Sequence, residues 1–194
     1  MDKAEFARLF EEYMADKREE MSRKYNRVLP SGELIFNRFD KGEYLGCGKG
    51  SSVYDTSVIM GDVQIGEEVW VGPYTILEGS SAKLTIGNHV SIATGVMIYT
   101  HDSTKNYVSG GKEPFQKKPV SIGNHTSIGT LSMISCGVTI GNHCVIGAYS
   151  FVKDDIPDYS IAAGIPARII GKVNIQDDGS VEFEYLQDNQ PDSK

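Results

Sequence analysis

Four histidines are the side chains in this sequence whose ordinary pKa lies near neutrality. His89, His125 and His143 each follow the tripeptide Ile-Gly-Asn, whereas His101 follows Ile-Tyr-Thr and precedes Asp102. A histidine of this kind can take a proton from a hydroxyl or an amine while that group attacks a carbonyl carbon. His101 is therefore the candidate general base, and the other three are interpreted as solvent-facing corner residues.

All four histidines occupy the fourth position of a six-residue repeat. Its first position is always Val, Ile or Leu, at Val53, Ile59, Ile65, Val71, Leu77, Ile86, Ile92, Ile98, Ile122, Ile128, Ile134, Ile140, Ile146 and Val152. Self-similarity at a fixed period is typical of solenoid folds. Three units of one short strand and one corner close a triangular coil, and stacked coils pair as parallel strands. The repeat predicts an all-β parallel β-helix.

The fifth position of the repeat is also predicted to point into the prism. It is occupied by small or β-branched residues, namely Val63, Val69, Thr75, Val90, Val96, Thr126, Ser132, Val138 and Cys144. Glycine and asparagine follow many anchors and suit the corners, where the backbone turns sharply. Few side chains are then left free on the flat faces of the prism.

Two interruptions of the repeat indicate where functional residues lie. The anchor after Leu77 comes nine positions later instead of six, which is a three-residue expansion of one corner. Ile98 and Ile122 are twenty-four positions apart, so eighteen residues, at about 103–120, leave the prism as a loop. Loops longer than about 12–15 residues are usually functional. His101 lies where this loop begins.

The flanking segments predict other elements. Residues 2–25 have the apolar spacing of an amphipathic helix, and 32–36 (GELIF) could form a short strand. A β-hairpin is expected to turn at Asp178 and Gly179, and the tail 187–194 is expected to be disordered. The predicted segments are an N-terminal helix at 1–28, a β-helix with its loop at 29–157, and a closing segment with hairpin and tail at 158–194.

Composition excludes several classes of function. The net charge is −7 and the basic residues form no long stripe, which argues against a nucleic-acid partner. No apolar run approaches the roughly 18 residues of a membrane span, and the N-terminus is charged rather than apolar like a signal peptide. The three cysteines follow neither metal nor disulfide spacing. We expect a cytoplasmic protein without membrane insertion and without a bound metal.

Residues 50–173 resemble the hexapeptide-repeat acyltransferases. The resemblance rests on the repeats, on IYTHD before the loop, on KPVSIGNH after it and on the closing VKDDIPDYSIAAGIPARIIGKV. Galactoside, maltose and xenobiotic acetyltransferases and the sugar acyltransferases of surface-polysaccharide pathways are the most similar groups. The resemblance implies a left-handed β-helix, acetyl-CoA as co-substrate, and a homotrimer with active sites between neighbouring prisms. It also implies that His101 is the base.

This resemblance suggests a reaction. The expected activity is transfer of an acetyl group from acetyl-CoA to a hydroxyl of a sugar or of a polysaccharide precursor, by direct attack without an acyl-enzyme. The alternative is N-acetylation of an amino sugar or a nucleotide-sugar. Coenzyme contacts are expected at Ala148, Lys153, Ile165, Pro166, Arg168 and Lys172. This chain departs from the family pattern at Ser127, where many members have Trp, and at Lys153 and Gly171.

The residues that assist His101 are left open by the sequence. Glu78 lies one coil earlier in the same column once the expansion is removed, and Asp102 is adjacent in the chain. Either carboxylate could orient the imidazole, although Glu78 could equally bind a sugar hydroxyl or face solvent. Tyr74 and Tyr99 are candidates for stacking on a sugar or for ordinary packing. The loop lysines, expected to meet phosphates or to be solvated, are Lys112, Lys117 and Lys118.

Two other classes of function share this fold. In the zinc hydratases of the γ-carbonic anhydrase type, three histidines bind the metal, and His89 and His125 have similar spacing. The third position falls near Thr130, which is not a ligand of the required kind. A catalytically silent scaffold is the other alternative, and His101 beside a long loop argues against it.

Overall fold

The computed structural model describes residues 1–186. The helices are α1 (Lys3–Tyr25), α2 (Ser31–Ile35), α3 (Arg38–Tyr44) and α4 (Thr104–Val108). The strands are β1 (Ser52–Val53), β2 (Val58–Ile65), β3 (Trp70–Val71), β4 (Ile76–Ile86), β5 (Ser91–Ile92), β6 (Met97–Tyr99), β7 (His101–Asp102), β8 (Gln116–Lys117), β9 (Val120–Ile122), β10 (Ser127–Ile128), β11 (Met133–Ile134), β12 (Thr139–Ile140), β13 (Val145–Ile146), β14 (Phe151–Val152), β15 (Ser160–Gly164), β16 (Ala167–Ile175) and β17 (Val181–Tyr185).

The short strands stack into three parallel faces of a prism. Face A contains β1, β3, β5, β10 and β13. Face B contains the first parts of β2 and β4, followed by β6, β11 and β14. Face C contains the last parts of β2 and β4, followed by β9 and β12. The corners between them form edges AB, BC and CA, each named by the two faces that it joins.

The repeat anchors form the core of the prism. Thirteen of the fourteen anchors are buried, and only Ile59 in the first coil is half-buried. Burying an aliphatic side chain of this size contributes about 1.5–3 kcal/mol relative to leaving it exposed. The predicted inward fifth position is buried as well at every site except Val63, which is half-buried. The predicted β-helix is therefore confirmed, with both inward columns correctly assigned.

Strand pairing confirms how the two interruptions are placed. Ile122 pairs with Ile86 on one side and with Ile140 on the other, so these anchors stack on face C. Eighteen residues therefore leave the prism between β6 and β9, as predicted. In the expanded corner, Gly61 pairs with Gly79 but Val63 pairs with Leu84, and the three extra residues bulge there.

The segment before the prism differs from the prediction. Residues 32–36 do not form a strand, because Ser31–Ile35 is helical. Tertiary contacts fix this segment: the buried Glu33 carboxylate accepts hydrogen bonds from the amide and hydroxyl of Thr56, both at 3.0 Å. Lys41 on α3 donates to three carbonyl oxygens of the first coil. The prism therefore begins at Ser52, and the expected start at residue 29 is too early.

Both terminal predictions are confirmed where the structure describes them. Helix α1 begins after Asp2, whose carboxylate accepts from the amide of Glu5 at 2.8 Å. Strands β16 and β17 form the antiparallel hairpin, and Gly179 adopts a φ of +83° in its turn. Strand β15 pairs with β13 and closes the last coil. The tail predicted at 187–194 lies outside the described residues.

Candidate active site

The loop that leaves the prism is an anchored hairpin arm. Strand β7 pairs antiparallel with β8, with His101 opposite Lys117. The amide of Lys118 donates to the carbonyl oxygen of Thr100 at 3.0 Å, which returns the chain to edge BC. Helix α4 lies within the arm. Because both ends of the arm are hydrogen-bonded, His101 is held at a defined place on this edge.

Glu78 lies directly beside His101. Glu78 pairs with Tyr99 in neighbouring strands, so its side chain meets the residues that follow Tyr99. Its Oε2 lies 3.0 Å from Nδ1 of His101. A carboxylate is an acceptor only, so Nδ1 carries the hydrogen, and in the neutral imidazole Nε2 then has a free lone pair. The His101 side chain is 30% exposed, which leaves that nitrogen within reach of a ligand.

The Glu78 carboxylate is buried yet ionised. Its side chain is only 4% exposed, and this burial by itself would raise the pKa. The opposing hydrogen bonds come from the Thr100 amide at 3.0 Å, the Thr100 hydroxyl at 2.9 Å, His101 and the Ser80 amide at 2.7 Å. Together they lower the pKa of Glu78 to about 2. Glu78 is therefore a permanent negative charge beside the imidazole near neutral pH.

Aromatic side chains enclose the imidazole on two sides. The Phe115 ring on the arm stacks on His101, with centroids 6.3 Å apart and an interplanar angle of 14°. Tyr99 meets His101 edge-on at 6.1 Å. An open groove of about 400 Å³ lies in front, lined by Tyr99, His101, Asp102, Ser103, Thr104, Met133, Ser135 and Phe151. Phe115 was not predicted as a site residue, although an aromatic residue in the loop that leaves the prism could have indicated a contact with His101.

Asp102 bonds to Thr104 rather than to His101, and Tyr74 lies on a different edge of the prism from His101. The Asp102 carboxylate accepts from the amide of Thr104 at 2.8 Å at the start of α4. Hydrogen bonds from the Thr104 side chain and amide lower the pKa of Asp102. Tyr74 lies on edge AB, at a φ of +59°, and is largely exposed. Of the two carboxylates considered for orienting the base, the structure brings Glu78 to His101, and of the two tyrosines considered for stacking on a sugar, it brings Tyr99 there.

Five of the six expected coenzyme residues lie around the last coils. Strand β15 packs below β13, so the Ile165–Pro166 turn lies beneath the corner that carries Ala148. Lys153 and Arg168 both approach the Asp154 carboxylate, at 2.9 and 3.5 Å. All five residues are exposed to solvent.

Lys172 lies apart from this group. It pairs with Ser160 and with Glu184 toward the far end of β16, away from the Ile165–Pro166 turn. Among the loop lysines, Lys117 lies opposite His101, and the stem of Lys118 packs against Gly137 on edge BC. Lys112 is exposed in the arm.

The other three histidines form a stacked column on edge CA, which we call the histidine ladder. The rings of His89 and His125 are 5.2 Å apart, those of His125 and His143 are 4.7 Å apart, and Tyr159 continues the stack at 4.8 Å. Because the rings stack face to face, their nitrogens do not converge on one point. Within residues 1–186, no three histidine, cysteine or acidic side chains are grouped to hold a metal ion.

No helix in the described part of the chain is both long enough and apolar enough to cross a membrane.

Comparison with known proteins agrees with this architecture. The family described as bacterial transferase hexapeptide (six repeats) matches residues 119–154. The galactoside O-acetyltransferase of Escherichia coli (strain K12) is 38% identical over 94 residues, which are 48% of this chain and 46% of that protein. The chain thus matches about half the length of this relative. The dTDP-4-amino-4,6-dideoxy-D-glucose acyltransferase of Escherichia coli is 28% identical over 69% of this chain and 77% of that protein.

A solved structure extends the similarity over most of the molecule. The hexapeptide-repeat containing acetyltransferase of Vibrio cholerae is 27% identical, with a TM-score of 0.61, covering 84% of this chain and 91% of that one. Its complex with acetyl coenzyme A aligns with a TM-score of 0.53 over 84% of this chain and 87% of that one. The repeat, the three-faced prism and these similarities show a hexapeptide-repeat chain with the left-handed parallel β-helix fold of the acetyltransferases to which it is similar.

Proposed function

We propose that this protein transfers an acetyl group from acetyl-CoA to a hydroxyl group of a sugar or of a polysaccharide precursor. The observation that carries the proposal is the Glu78–His101 pair at 3.0 Å, facing a groove beside an arm that leaves the prism. The similarity to acetyltransferases, one of which binds acetyl coenzyme A, supports the donor.

The pair provides general base catalysis. Nε2 of His101 takes the proton of the acceptor hydroxyl as its oxygen attacks the thioester carbonyl carbon. The C–S bond then breaks, and the proton passes to the departing thiolate, so that the products are an acetyl ester and free coenzyme A. General base catalysis of this kind contributes about 10²–10⁴-fold to the rate. Glu78 holds the productive tautomer and stabilises the transient imidazolium by its charge.

The coenzyme is proposed to lie along the last coils. The exposed Ile165–Pro166 turn and the main chain at Ala148 provide a narrow surface for the pantetheine arm. Among the basic side chains near the last coils, Arg168 and Lys153 both contact Asp154. Phosphate oxygens would compete with the Asp154 carboxylate for these cations. Lys172 is too far along β16 to join the same contact.

Face B supports the proposed homotrimer. On this face the position before each anchor is apolar, at Val58, Ile76, Met97, Met133 and Phe151. The equivalent positions on face C are polar, at Gln64, Thr85, Ser121 and Thr139. An apolar face beside His101 is the kind of surface that a second prism would cover. In such a trimer, a residue of another prism would complete the groove.

N-acylation is the second candidate reaction. It is favoured by the similarity to the dTDP-4-amino-4,6-dideoxy-D-glucose acyltransferase, whose name gives an amino sugar attached to a nucleotide. An amine needs the same proton acceptor as a hydroxyl, so the Glu78–His101 pair suits both reactions. The acceptor therefore has to be found by experiment.

Release of free thiol from acetyl-CoA tests the proposal. The assay is run with galactosides, other neutral sugars, nucleotide-sugars and amino sugars, and products are identified by mass spectrometry. We expect acetylation of a neutral sugar, with a product that mild alkali hydrolyses, because an ester is labile where an amide is stable. An alkali-stable product would establish N-acetylation instead. Thiol release no faster than spontaneous hydrolysis with every acceptor would refute an acetyltransferase function.

A further inference from the structure

Thr100 directly precedes His101, at the corner that follows β6. The side chain of Thr100 is completely buried. Its amide and hydroxyl both donate to Oε2 of Glu78, at 3.0 and 2.9 Å. The same oxygen accepts from Nδ1 of His101. Three donors therefore meet on one carboxylate oxygen, and two of them belong to Thr100.

The Thr100 hydroxyl is also fixed from the other side. Its oxygen accepts a hydrogen bond from the amide of Ala82 at 3.2 Å. Ala82 lies in the three-residue expansion of β4, between the part that pairs with β6 and the part that pairs with β9. The amide of Ser80 in the same expansion donates to Oε1 of Glu78. The expanded corner thus supplies one amide to the carboxylate and one to the hydroxyl. A regular six-residue corner has three residues fewer with which to reach both.

We propose that Thr100 is a positioning residue that acts through Glu78. Its hydroxyl is used twice, as a donor to the carboxylate and as an acceptor from the expanded corner, so it holds Glu78 in the orientation that contacts His101. The kinetic consequence rests on the proposed function, whereas the orientation of the pair does not. Because the buried Thr100 hydroxyl both donates and accepts a hydrogen bond, it favours one orientation of the Glu78 side chain.

Thr126 provides a matched control at another edge of the same prism. It is 1% exposed, its hydroxyl donates to the carbonyl oxygen of Gly141 at 2.9 Å, and it accepts from the amide of Cys144 at 3.2 Å. The chemical change in Thr126→Val therefore matches that in Thr100→Val. Thr126 lies on edge CA and contacts neither Glu78 nor His101. A purely structural role for the hydroxyl predicts the same outcome at both positions.

The first measurement is kinetic. Thr100→Val should lower kcat by about tenfold or more, because a hydrogen bond to a charged group is lost. KM for acetyl-CoA should remain unchanged, and Thr100→Ser, which keeps the hydroxyl, should recover most of kcat. Thr126→Val should lower thermal stability to a similar degree and leave kcat within about twofold. Equal losses of kcat in the two valine variants would overturn the proposal.

The second measurement does not need an acceptor. The ¹⁵N shifts of the imidazole nitrogens report which one carries the hydrogen, and native protein should show Nδ1–H at His101. Thr100→Val should give a mixture of the two tautomers, and Thr126→Val should give the native spectrum. An unchanged His101 spectrum in Thr100→Val would refute the positioning role even if no acceptor is found. If Thr100→Val does not fold, Thr100→Ala, which removes the hydroxyl together with the γ-methyl, takes its place in both measurements, with Thr126→Ala as its matched control.

Discussion

His101 and the histidine ladder occupy the same position of the six-residue repeat on two edges of one prism, but different groups surround their rings. On edge CA, His89, His125 and His143 adopt φ values of 53–56° and stack on each other. On edge BC, His101 lies at the start of an extended arm and bonds a buried carboxylate. Regular coils give each side chain a copy of itself as a neighbour, because equivalent positions stack at about 4.8 Å.

The difference shows what an interruption of the repeat accomplishes. In the regular edge, asparagines form a second column, with Asn124 accepting from the amide of Asn88 and Asn142 from that of Asn124. These bonds satisfy the corner but bring like groups together. At edge BC, the expansion and the arm place an acid, a base and an aromatic ring side by side. A carboxylate beside an imidazole can support proton transfer by His101. In the histidine ladder, by contrast, protonated imidazoles would repel one another.

Removing the two kinds of histidine should separate the edges most clearly. His101→Ala should reduce acetyl transfer by about 10²–10⁴-fold, since the proton acceptor is lost. His125→Ala, the matched control from the ladder, should keep transfer within about twofold. Both variants are compared at saturating acetyl-CoA by thiol release, with thermal unfolding to verify folding. A His101→Ala enzyme with native turnover would remove His101 from the proposed mechanism.

Acid should weaken edge BC through Glu78. Its pKa is lowered from 4.5 to about 2 in the folded protein, so the folded state holds this proton less well than the unfolded chain does. The resulting stability is present above about pH 4.5 and is lost as the pH falls toward 2, and it amounts to about 3 kcal/mol. Urea unfolding of native protein and of Glu78→Gln between pH 3 and 6 measures the part of this loss that falls above pH 3. Parallel curves for the two proteins would contradict the assignment.

The two carboxylates next to His101 can be distinguished by amide substitution. In Glu78→Gln, an NH₂ group replaces one acceptor oxygen and faces the N–H of Ser80 or the donors at Thr100 and His101. We expect kcat to fall by about 10–100-fold, consistent with loss of a charge-assisted hydrogen bond. Asp102→Asn, which weakens the bond to Thr104 and removes no hydrogen bond to His101, should change kcat by less than about threefold. A larger loss in Asp102→Asn would exchange the two roles.

The histidine ladder should have the smallest effect on the pH dependence of stability. That effect should arise from repulsion between like groups, whereas the effect of Glu78 arises from hydrogen bonds that stabilise its charge. Partial burial and the neighbouring His143 and His89 lower the pKa of His125. The folded state therefore binds this proton less readily than the unfolded chain, and stability decreases as the pH falls through the ordinary range of histidine, at about 6.5. The loss should be small because His125 itself is largely exposed. His125→Gln should flatten the pH dependence of Tm between pH 5 and 8, and an unchanged slope would argue against repulsion in the ladder.

The repeat made most of the prism predictable. A residue one coil away is eighteen positions away in regular sequence, so counting placed Ile86, Ile122 and Ile140 in one column. Counting also placed Glu78 on the corner that carries His101, in register with Tyr99. The segment before the prism was not predictable in this way. Helices α2 and α3 depend on Glu33 and Lys41 reaching the first coil, and such contacts have no fixed spacing in the chain.

The sequence by itself determined the prism, its two interruptions and the edge shared by Glu78 and His101, because a strict period converts position in the chain into position in space. Tertiary structure decided which carboxylate contacts the imidazole, that Asp102 turns to Thr104, and that Phe115 stacks on His101. It also placed Thr100 between the expanded corner and Glu78. These outcomes depend on side-chain direction and on the path of the arm, which follow from packing across coils rather than from the period.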